Sequence, residues 1–265
     1  MMKGPPVALH KDLVYRPGSD RGLLDVMRPD GAGPFPVVVC LHGGGWTGGS
    51  KDRLAAYGQL LNAEGIAAVL SNYRLTGTHT HPAQEEDVFA VLDWIAAHAA
   101  EYAFDPRRVG LTGSSAGGHL TMLAGVKAAS RAPTPWTVRC MAPVCGVSDI
   151  ALWFRDRPQY LPNVKGILGG LPEEKPAVER SASPIAHVHA GAPPCLAIHG
   201  DIDDVCPINQ SALFVDALRA AGAQAELLVV PGVGHASIMP NVNPPEPLGG
   251  RRRFIGFLRK HLGSA

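Results

Sequence analysis

With 265 residues, 46% of them hydrophobic and 18% charged, the chain can bury a sizeable core and is too apolar to stay disordered. A formal net charge of +1, with no basic run longer than Arg251-Arg252-Arg253, argues against nucleic acid as a partner; that run reads as the solvated start of a last helix. No apolar stretch reaches the roughly 18 residues of a membrane span, and Met1-Met2-Lys3-Gly4-Pro5-Pro6 lacks the apolar region of an export signal; the default expectation is a cytoplasmic location, the alternative being an export signal already removed.

Residues 1–36 read as an entry segment with short strands near Leu13-Val14-Tyr15 and over Leu23–Met27, followed by a turn at Asp30-Gly31-Ala32-Gly33. Val37-Val38-Val39-Cys40-Leu41 is a continuous apolar run, as in a strand buried on both faces. The glycine-rich loop His42-Gly43-Gly44-Gly45-Trp46 follows directly. Asp52–Glu64 reads as a helix burying Leu54, Tyr57 and Leu61, ended by Gly65. Ala67–Ser71 is the next strand. The loop after it carries His79 and His81, an H-x-H pair with no carboxylate or cysteine cluster beside it, read as loop and helix entry rather than as a metal site. Pro82 suits the first turn of a helix that buries Val88, Val91, Leu92, Ile95 and Ala99.

Asp105-Pro106 turns the chain into a strand over Arg108–Thr112, and a helix is expected over His119–Ala129. Cys140–Val144 is another strand. Residues 146–192 break the rhythm with Trp153, Phe154, Tyr160 and several prolines. They read either as an insertion that caps a site or as a surface excursion with its own small core. A strand at Cys195–Ile198, a helix at Ile208–Ala221, a strand at Leu227–Val230, a proline-rich loop at Pro240–Pro247 and an amphipathic helix at Arg251–Leu262 complete the chain. Strands and helices alternate throughout. This predicts one α/β domain over residues 1–265, a mostly parallel sheet with helices on both faces. The five cysteines (Cys40, Cys140, Cys145, Cys195, Cys206) are odd in number, widely spaced and without a C-x-x-C pair, so no disulfide framework is expected.

Between the strand at 108–112 and its helix lies Gly113-Ser114-Ser115-Ala116-Gly117, a G-x-S-x-G pattern. A serine on so tight a strand-to-helix turn exposes its hydroxyl to both a base and a substrate. Side chains two residues before and after it would collide, hence glycine at both places. A serine hydroxyl is a poor nucleophile unless a base takes its proton and an acid orients the base. In parallel sheets such residues sit in loops at the carboxyl ends of strands. Asp203, after the strand ending at Ile198, and His235, after the strand ending at Val230, both qualify, and the order Ser115, Asp203, His235 suits this class of hydrolase. Asp201 and Asp204 compete with Asp203 for the acid's place. Glycines at 43–45 let backbone N–H groups approach a developing oxyanion. The competing dinucleotide reading, Gly43-x-Gly45-x-x-Gly48, lacks the acidic residue expected about 20 residues on, where Asn72-Tyr73-Arg74 stands.

On His42-Gly43-Gly44-Gly45-Trp46, Gly113-Ser114-Ser115-Ala116-Gly117-Gly118-His119, His199-Gly200-Asp201-Ile202-Asp203 with Pro207, and Gly234-His235, the chain resembles α/β-hydrolases of the hormone-sensitive-lipase-like and feruloyl-esterase-like (BD-FAE-type) branch. Cys206 departs from the pattern, where valine is more usual. The resemblance implies a serine carboxylic-ester hydrolase on small to medium acyl or aromatic, feruloyl-like esters, working without metal or cofactor on a small-molecule ester. It implies Ser115 as nucleophile, His235 as base, Asp203 as its orienting acid, and the N–H groups of Gly43, Gly44 and Ala116 as the oxyanion hole. His42, His119, His199, His187 and His189 are expected to be structural. Trp46, Trp153, Phe154 and Tyr160 either line a substrate pocket or belong to the core. Two alternatives stand beside this: the same machinery acting on an amide, as in arylformamidases or acyl-peptidases, and a non-catalytic ligand-binding protein on a hydrolase scaffold.

Overall fold

Three strands are buried at every residue: β3 (Phe35–Leu41), β4 (Ala67–Ser71) and β7 (Cys195–Gly200). A strand covered on both faces has no solvent side, so its sequence loses polar alternation. The computed structural model describes residues 8–131, 133–235 and 250–263. Its eight strands form one sheet in the order β1-β2-β4-β3-β5-β6-β7-β8, completed by β1 (Ala8–Val14), β2 (Leu23–Arg28), β5 (Phe104–Ser114), β6 (Val138–Val144) and β8 (Ala225–Val230). β1 and β2 pair antiparallel, as do β2 and β4; every other neighbouring pair is parallel. β1 is the exposed edge. It carries charged residues and a register shift between His10 and Leu13, both of which discourage a second chain from pairing there.

Alternate residues of β3 enter different cores. Val37, Val39 and Leu41 pack with Val88, Val91, Leu92 and Ile95 of α2 (Ala83–Ala97) and with Leu120 and Ala124 of α4 (Ala116–Ala128). Val38 and Cys40 pack with Tyr57 and Leu61 of α1 (Ala55–Asn62) and with Phe254 and Leu258 of α9 (Gly250–Leu262). Between these elements lie α3 (Ala99–Tyr102), α5 (Ile150–Asp156), α6 (Leu161–Leu168), α7 (Pro176–Ala182) and α8 (Asn209–Ala220). All five cysteines are free and buried.

The expected helix through Ala99 stops at Ala97, the strands expected from Cys140 and Leu227 start two residues earlier, and four further elements differ from their sequence reading. Residues 51–54 form a 3-10 turn before α1 instead of its first α turn. Lys51 is drawn inward there, its ammonium 2.7 Å from both the Asp12 and Asp25 carboxylates, a tertiary tie that helical periodicity does not encode. β5 begins at Phe104 instead of 108 because Phe104 pairs with Phe35. β1 extends to Ala8 because its partner β2 reaches Arg28. α4 begins at Ala116, three residues before the expected start, immediately behind Ser115. The expected loop at Pro240–Pro247 lies outside the described residues.

Residues 146–192 contribute α5, α6 and α7 and build a third apolar cluster. Ile150, Trp153, Val164 and Ile167 pack there with Trp46, Ala116 and Cys206, which sit at the carboxyl ends of β3, β5 and β7. The segment thus covers the end of the sheet where ligand-handling loops gather.

Candidate active site

Leu41 of β3 pairs with Gly113 of β5, so the glycine-rich loop and the serine turn leave the sheet side by side. Ser115 holds φ 56° and ψ −119°, a conformation costly for a residue with a Cβ. Both flanking glycines are needed for packing. A Cβ on Gly113 would lie 2.6 Å from the Leu41 carbonyl oxygen and 2.7 Å from that of Gly117, and one on Gly117 would overlap the Leu41 carbonyl oxygen. The Ser115 N–H donates to Val144 O (2.9 Å) and its carbonyl accepts from the His119 N–H (2.8 Å), which pins the turn.

The Ser115 hydroxyl is 2.9 Å from His235 Nε2, and His235 Nδ1 is 2.8 Å from Asp203 Oδ2. Nδ1 therefore carries the proton given to Asp203, and Nε2 is left to accept from the hydroxyl. Asp203 Oδ1 accepts from the N–H groups of Val205 (3.0 Å) and Cys206 (2.8 Å). Burial opposes the Asp203 charge, but hydrogen bonds from His199, His235 and the Cys206 N–H outweigh it and hold this carboxyl well below the usual range. Burial also opposes a charge on His235, and there the hydrogen bond to Asp203 prevails and raises the imidazole above its ordinary value. The other two acids point elsewhere: Asp201 Oδ1 accepts from the Gly232 N–H (2.7 Å), and Asp204 is exposed.

The glycine-rich loop is braced from several sides. The Tyr73 hydroxyl donates to His42 O (2.8 Å), and its ring stacks on the His42 imidazole with centroids 4.2 Å apart. His42 Nδ1 donates to Gly43 O (2.8 Å), while Nε2 accepts from Arg21 (3.1 Å). Burial, with the positive charges of Arg21 and Arg53 adding to it, lowers the His42 pKa to about 4, so this ring is a neutral brace. Asn163 Nδ2 donates to Gly45 O (2.9 Å). Trp46 Nε1 donates to His119 Nδ1 (3.2 Å), and His119 Nε2 donates to Ala182 O of α7 (2.7 Å). A Cβ on Gly43 would stand 3.3 Å from the Ser115 Cβ, which places the loop against the serine. The N–H groups of Gly43, Gly44 and Ala116 donate to no acceptor among the described residues. No helix begins at these glycines, unlike a dinucleotide site, where a helix N-terminus receives the pyrophosphate.

The remaining histidines act as ties. His199 Nδ1 accepts from the Ser211 hydroxyl (2.7 Å), and Nε2–H faces Cys206 O (2.8 Å) with Asp203 Oδ2 at 3.3 Å, so this ring holds the acid from behind. His187 donates to Ser181 O and His189 to Val126 O. His79 and His81 have separate partners, Thr78 Oγ1 for the first and Ser181 Oγ for the second. Among the described residues, one trio is close enough to share a cation: ligand atoms of Cys145, Asp203 and His235 lie within 4.8 Å of one another. A cation there would compete with the proton that His235 shares with Asp203.

A cavity of about 680 Å³ opens over Ser115. One wall is Trp46, Trp153 and Tyr160, with ring centroids 5.7 Å apart for the first pair and 5.1 Å for the stacked second pair. Phe154 does not line it. It packs at the edge of the third cluster, because successive helical residues face different directions. Val147, Val205, Cys206 and Asn163 extend the aromatic wall, and Arg53, Leu54 and Tyr57 form another. None of these seven carries a local motif that marks it. Each is brought to the cavity by the packing of segments distant in sequence.

The sheet order, with the Ser115 turn after β5, Asp203 after β7 and His235 after β8, is that of the α/β-hydrolase fold. The chain belongs to the BD-FAE family, whose family model matches residues 24–218, as the motif resemblance implies; His235 lies beyond the matched stretch. Esterase LipQ of Mycobacterium tuberculosis is 34% identical over 224 residues, covering 80% of this chain and 53% of LipQ. Isoprenylcysteine alpha-carbonyl methylesterase ICME of Arabidopsis thaliana is 27% identical over 244 residues, 87% of this chain and 57% of its own. A solved structure described as a bacterial heroin esterase matches with a TM-score of 0.83 at 25% identity, over 98% of this chain and 86% of that one. The chain spans about half the length of the curated relatives it matches. No helix among the described residues is long and apolar enough to cross a membrane.

Proposed function

We propose that the protein is a carboxylesterase that works through an acyl-enzyme. The observation that carries this reading is the hydrogen-bonded line Ser115–His235–Asp203, 2.9 and 2.8 Å, at the floor of the cavity. Ser115 Oγ attacks the ester carbonyl while His235 Nε2 takes its proton. The imidazolium so formed is stabilised by Asp203, then returns the proton to the leaving alcohol. Water repeats the sequence on the acyl-enzyme. The N–H groups of Gly43, Gly44 and Ala116 are aimed at the tetrahedral oxygen, each such donor typically contributing about 3 to 4 kcal/mol to barrier lowering. Bracing by Tyr73, Asn163 and the Trp46–His119 pair keeps that cradle in place before substrate arrives, which is where electrostatic catalysis gains its advantage. The stacked wall of Trp153 and Tyr160 favours flat aromatic groups on a small-molecule ester, in line with feruloyl-like substrates.

The test is turnover of p-nitrophenyl butyrate together with labelling by a fluorophosphonate. Turnover is expected, lost in step with the gain of one label on Ser115 as the reagent titrates the protein. Steady turnover with Ser115 unlabelled excludes the mechanism.

The Asp203 carboxylate sets the pH dependence. It favours the imidazolium, so His235 must lose a proton at a pH above its unperturbed value of about 6.5 before it can act as base. kcat/KM should therefore fall on acidification along a limb whose midpoint lies above about 6.5. A rate constant that is flat between about pH 5 and 8 contradicts the assignment.

A further inference from the structure

We propose that Cys145, Asp203 and His235 form an inhibitory site for a divalent cation of the zinc class, which stops ester hydrolysis by capturing the base. The cation site stands on geometry; its effect on turnover rests on the reading of His235 as base. The three donors leave the carboxyl ends of three neighbouring strands, Cys145 directly after β6, Asp203 after β7 and His235 after β8. Their ligand atoms lie within 4.8 Å of one another. Cys145 is fully buried, holds φ 39°, and its N–H donates to Ile198 O (2.9 Å). A residue with a Cβ keeps such a backbone only where its surroundings impose it. The thiol is thereby fixed beside the His235 imidazole, with which it makes a side-chain hydrogen bond. None of the steps assigned to Ser115, His235 and Asp203 uses that thiol.

Thiolate, imidazole and carboxylate together are a zinc donor set, whereas magnesium and calcium take oxygen ligands. The charges also balance. One dication with one thiolate and one carboxylate is neutral, which suits a buried site. His235 is the member that lines the cavity, its side chain 16% exposed against 0% for Asp203, so the cation enters from there. The protons account for the inhibition. The thiol proton leaves to solvent. Nδ1, 2.8 Å from Asp203 Oδ2, gives its lone pair to the cation, so the one imidazole proton sits on Nε2. Nε2 is 2.9 Å from the Ser115 hydroxyl and now donates to it instead of accepting, which leaves Ser115 without a base. Asp203 Oδ1 keeps its N–H donors from Val205 and Cys206, and Oδ2 is left for the cation. Tyr57 gives a second observation. Its hydroxyl is buried, has no hydrogen-bond partner among the described residues, and lies within electrostatic reach of the Cys40 and Cys145 thiols. Cys40 already donates to Val38 O. A metal-bound Cys145 thiolate would accept from the Tyr57 O–H, as ligands of a metal commonly do from an outer partner.

Binding and inhibition are measured separately on the full chain. Zinc titrated into the Ser115→Ala protein against a colorimetric chelator should fill one site per chain. Cobalt in its place should give a thiolate-to-cobalt charge-transfer band in the near ultraviolet. Adding Cys145→Ala or Cys145→Ser should abolish both signals, and adding Tyr57→Phe should weaken zinc binding less. These readouts need no turnover. With p-nitrophenyl butyrate, zinc should inhibit the wild type, EDTA should restore the rate, and magnesium should not inhibit. Cys145→Ala and Cys145→Ser should each raise the zinc concentration for half-inhibition by about tenfold or more. Cys206→Ser, whose thiol belongs to the cavity lining and not to the trio, should leave it unchanged. A protein that takes up no zinc, a cobalt complex without the thiolate band, or inhibition that persists unchanged in both Cys145 variants overturns the proposal. Zinc held through Cys145 with turnover undiminished overturns it as well. Zinc held through Cys145 by a wild type that hydrolyses no ester supports the cation site and removes the esterase reading instead.

Discussion

Ser115→Ala is expected to lower kcat/KM for p-nitrophenyl butyrate by about 10⁴- to 10⁶-fold while leaving Tm nearly unchanged. The substitution removes one atom, Oγ, and one hydrogen bond, the 2.9 Å contact to His235 Nε2. The Cβ stays, so the positive φ of residue 115 and the start of α4 behind it are kept. The backbone ties of residue 115 to Val144 and His119 also stay. The residual rate reports what the N–H cradle and the cavity do for attack by water. Ser114 is the control. It also lines the cavity but has no bond to His235, so Ser114→Ala should cost less than about tenfold. Steady-state rates of the two variants, with Tm measured beside them, separate loss of the nucleophile from loss of fold. Comparable losses in both, or full activity in Ser115→Ala, remove Ser115 from the mechanism.

The parts of this site that could be read from sequence share one property: their signal is local. Gly113 and Gly117 are dictated by contacts with the strand and loop beside the turn, so a five-residue pattern announces the serine. Asp203 and His235 each follow a strand whose apolar run is unmistakable, and the parallel sheet brings all these loops to one end. What was not legible depends on contacts between distant segments. The first turn of α4, Ala116-Gly117-Gly118, reads as loop by propensity and becomes helix through close packing against the backbone of β3 and β6. The 3-10 turn at 51–54 depends on carboxylates about 26 and 39 residues away in sequence. Trp153 and Phe154 are neighbours in sequence and aromatic alike, yet one lines the cavity and the other does not, a difference decided by the phase of α5 on its support. Asn163, which braces Gly45, sits 118 residues from it and in no motif.

Asp203→Asn is expected to reduce kcat by about 10⁴-fold with the fold intact, whereas Asp201→Asn and Asp204→Asn should each change it by less than about tenfold. The three residues lie within four positions of one another and differ in what they touch. Asp203 is 6% exposed and holds His235 Nδ1 at 2.8 Å, whereas Asp201 caps the Gly232 N–H and Asp204 faces solvent. Asparagine fills the same volume and can still accept from the Val205 and Cys206 N–H groups, so the 203–206 turn should persist. The charge is lost, and with it the preference for a proton on Nδ1. The imidazole can then turn its N–H toward Ser115 and present no lone pair to the hydroxyl. The imidazolium formed during attack also loses the carboxylate that stabilised it. A second signature follows from the sign of the His235 shift. Asp203 raises that pKa against burial, so removing its charge lets burial lower it. The residual activity of Asp203→Asn should persist to lower pH than that of the wild type, the acid limb moving downward by a unit or more. Rate–pH profiles of the three asparagine variants decide the assignment. An acid limb that stays in place in Asp203→Asn, or a loss as large in Asp201→Asn, means that a different carboxylate orients His235.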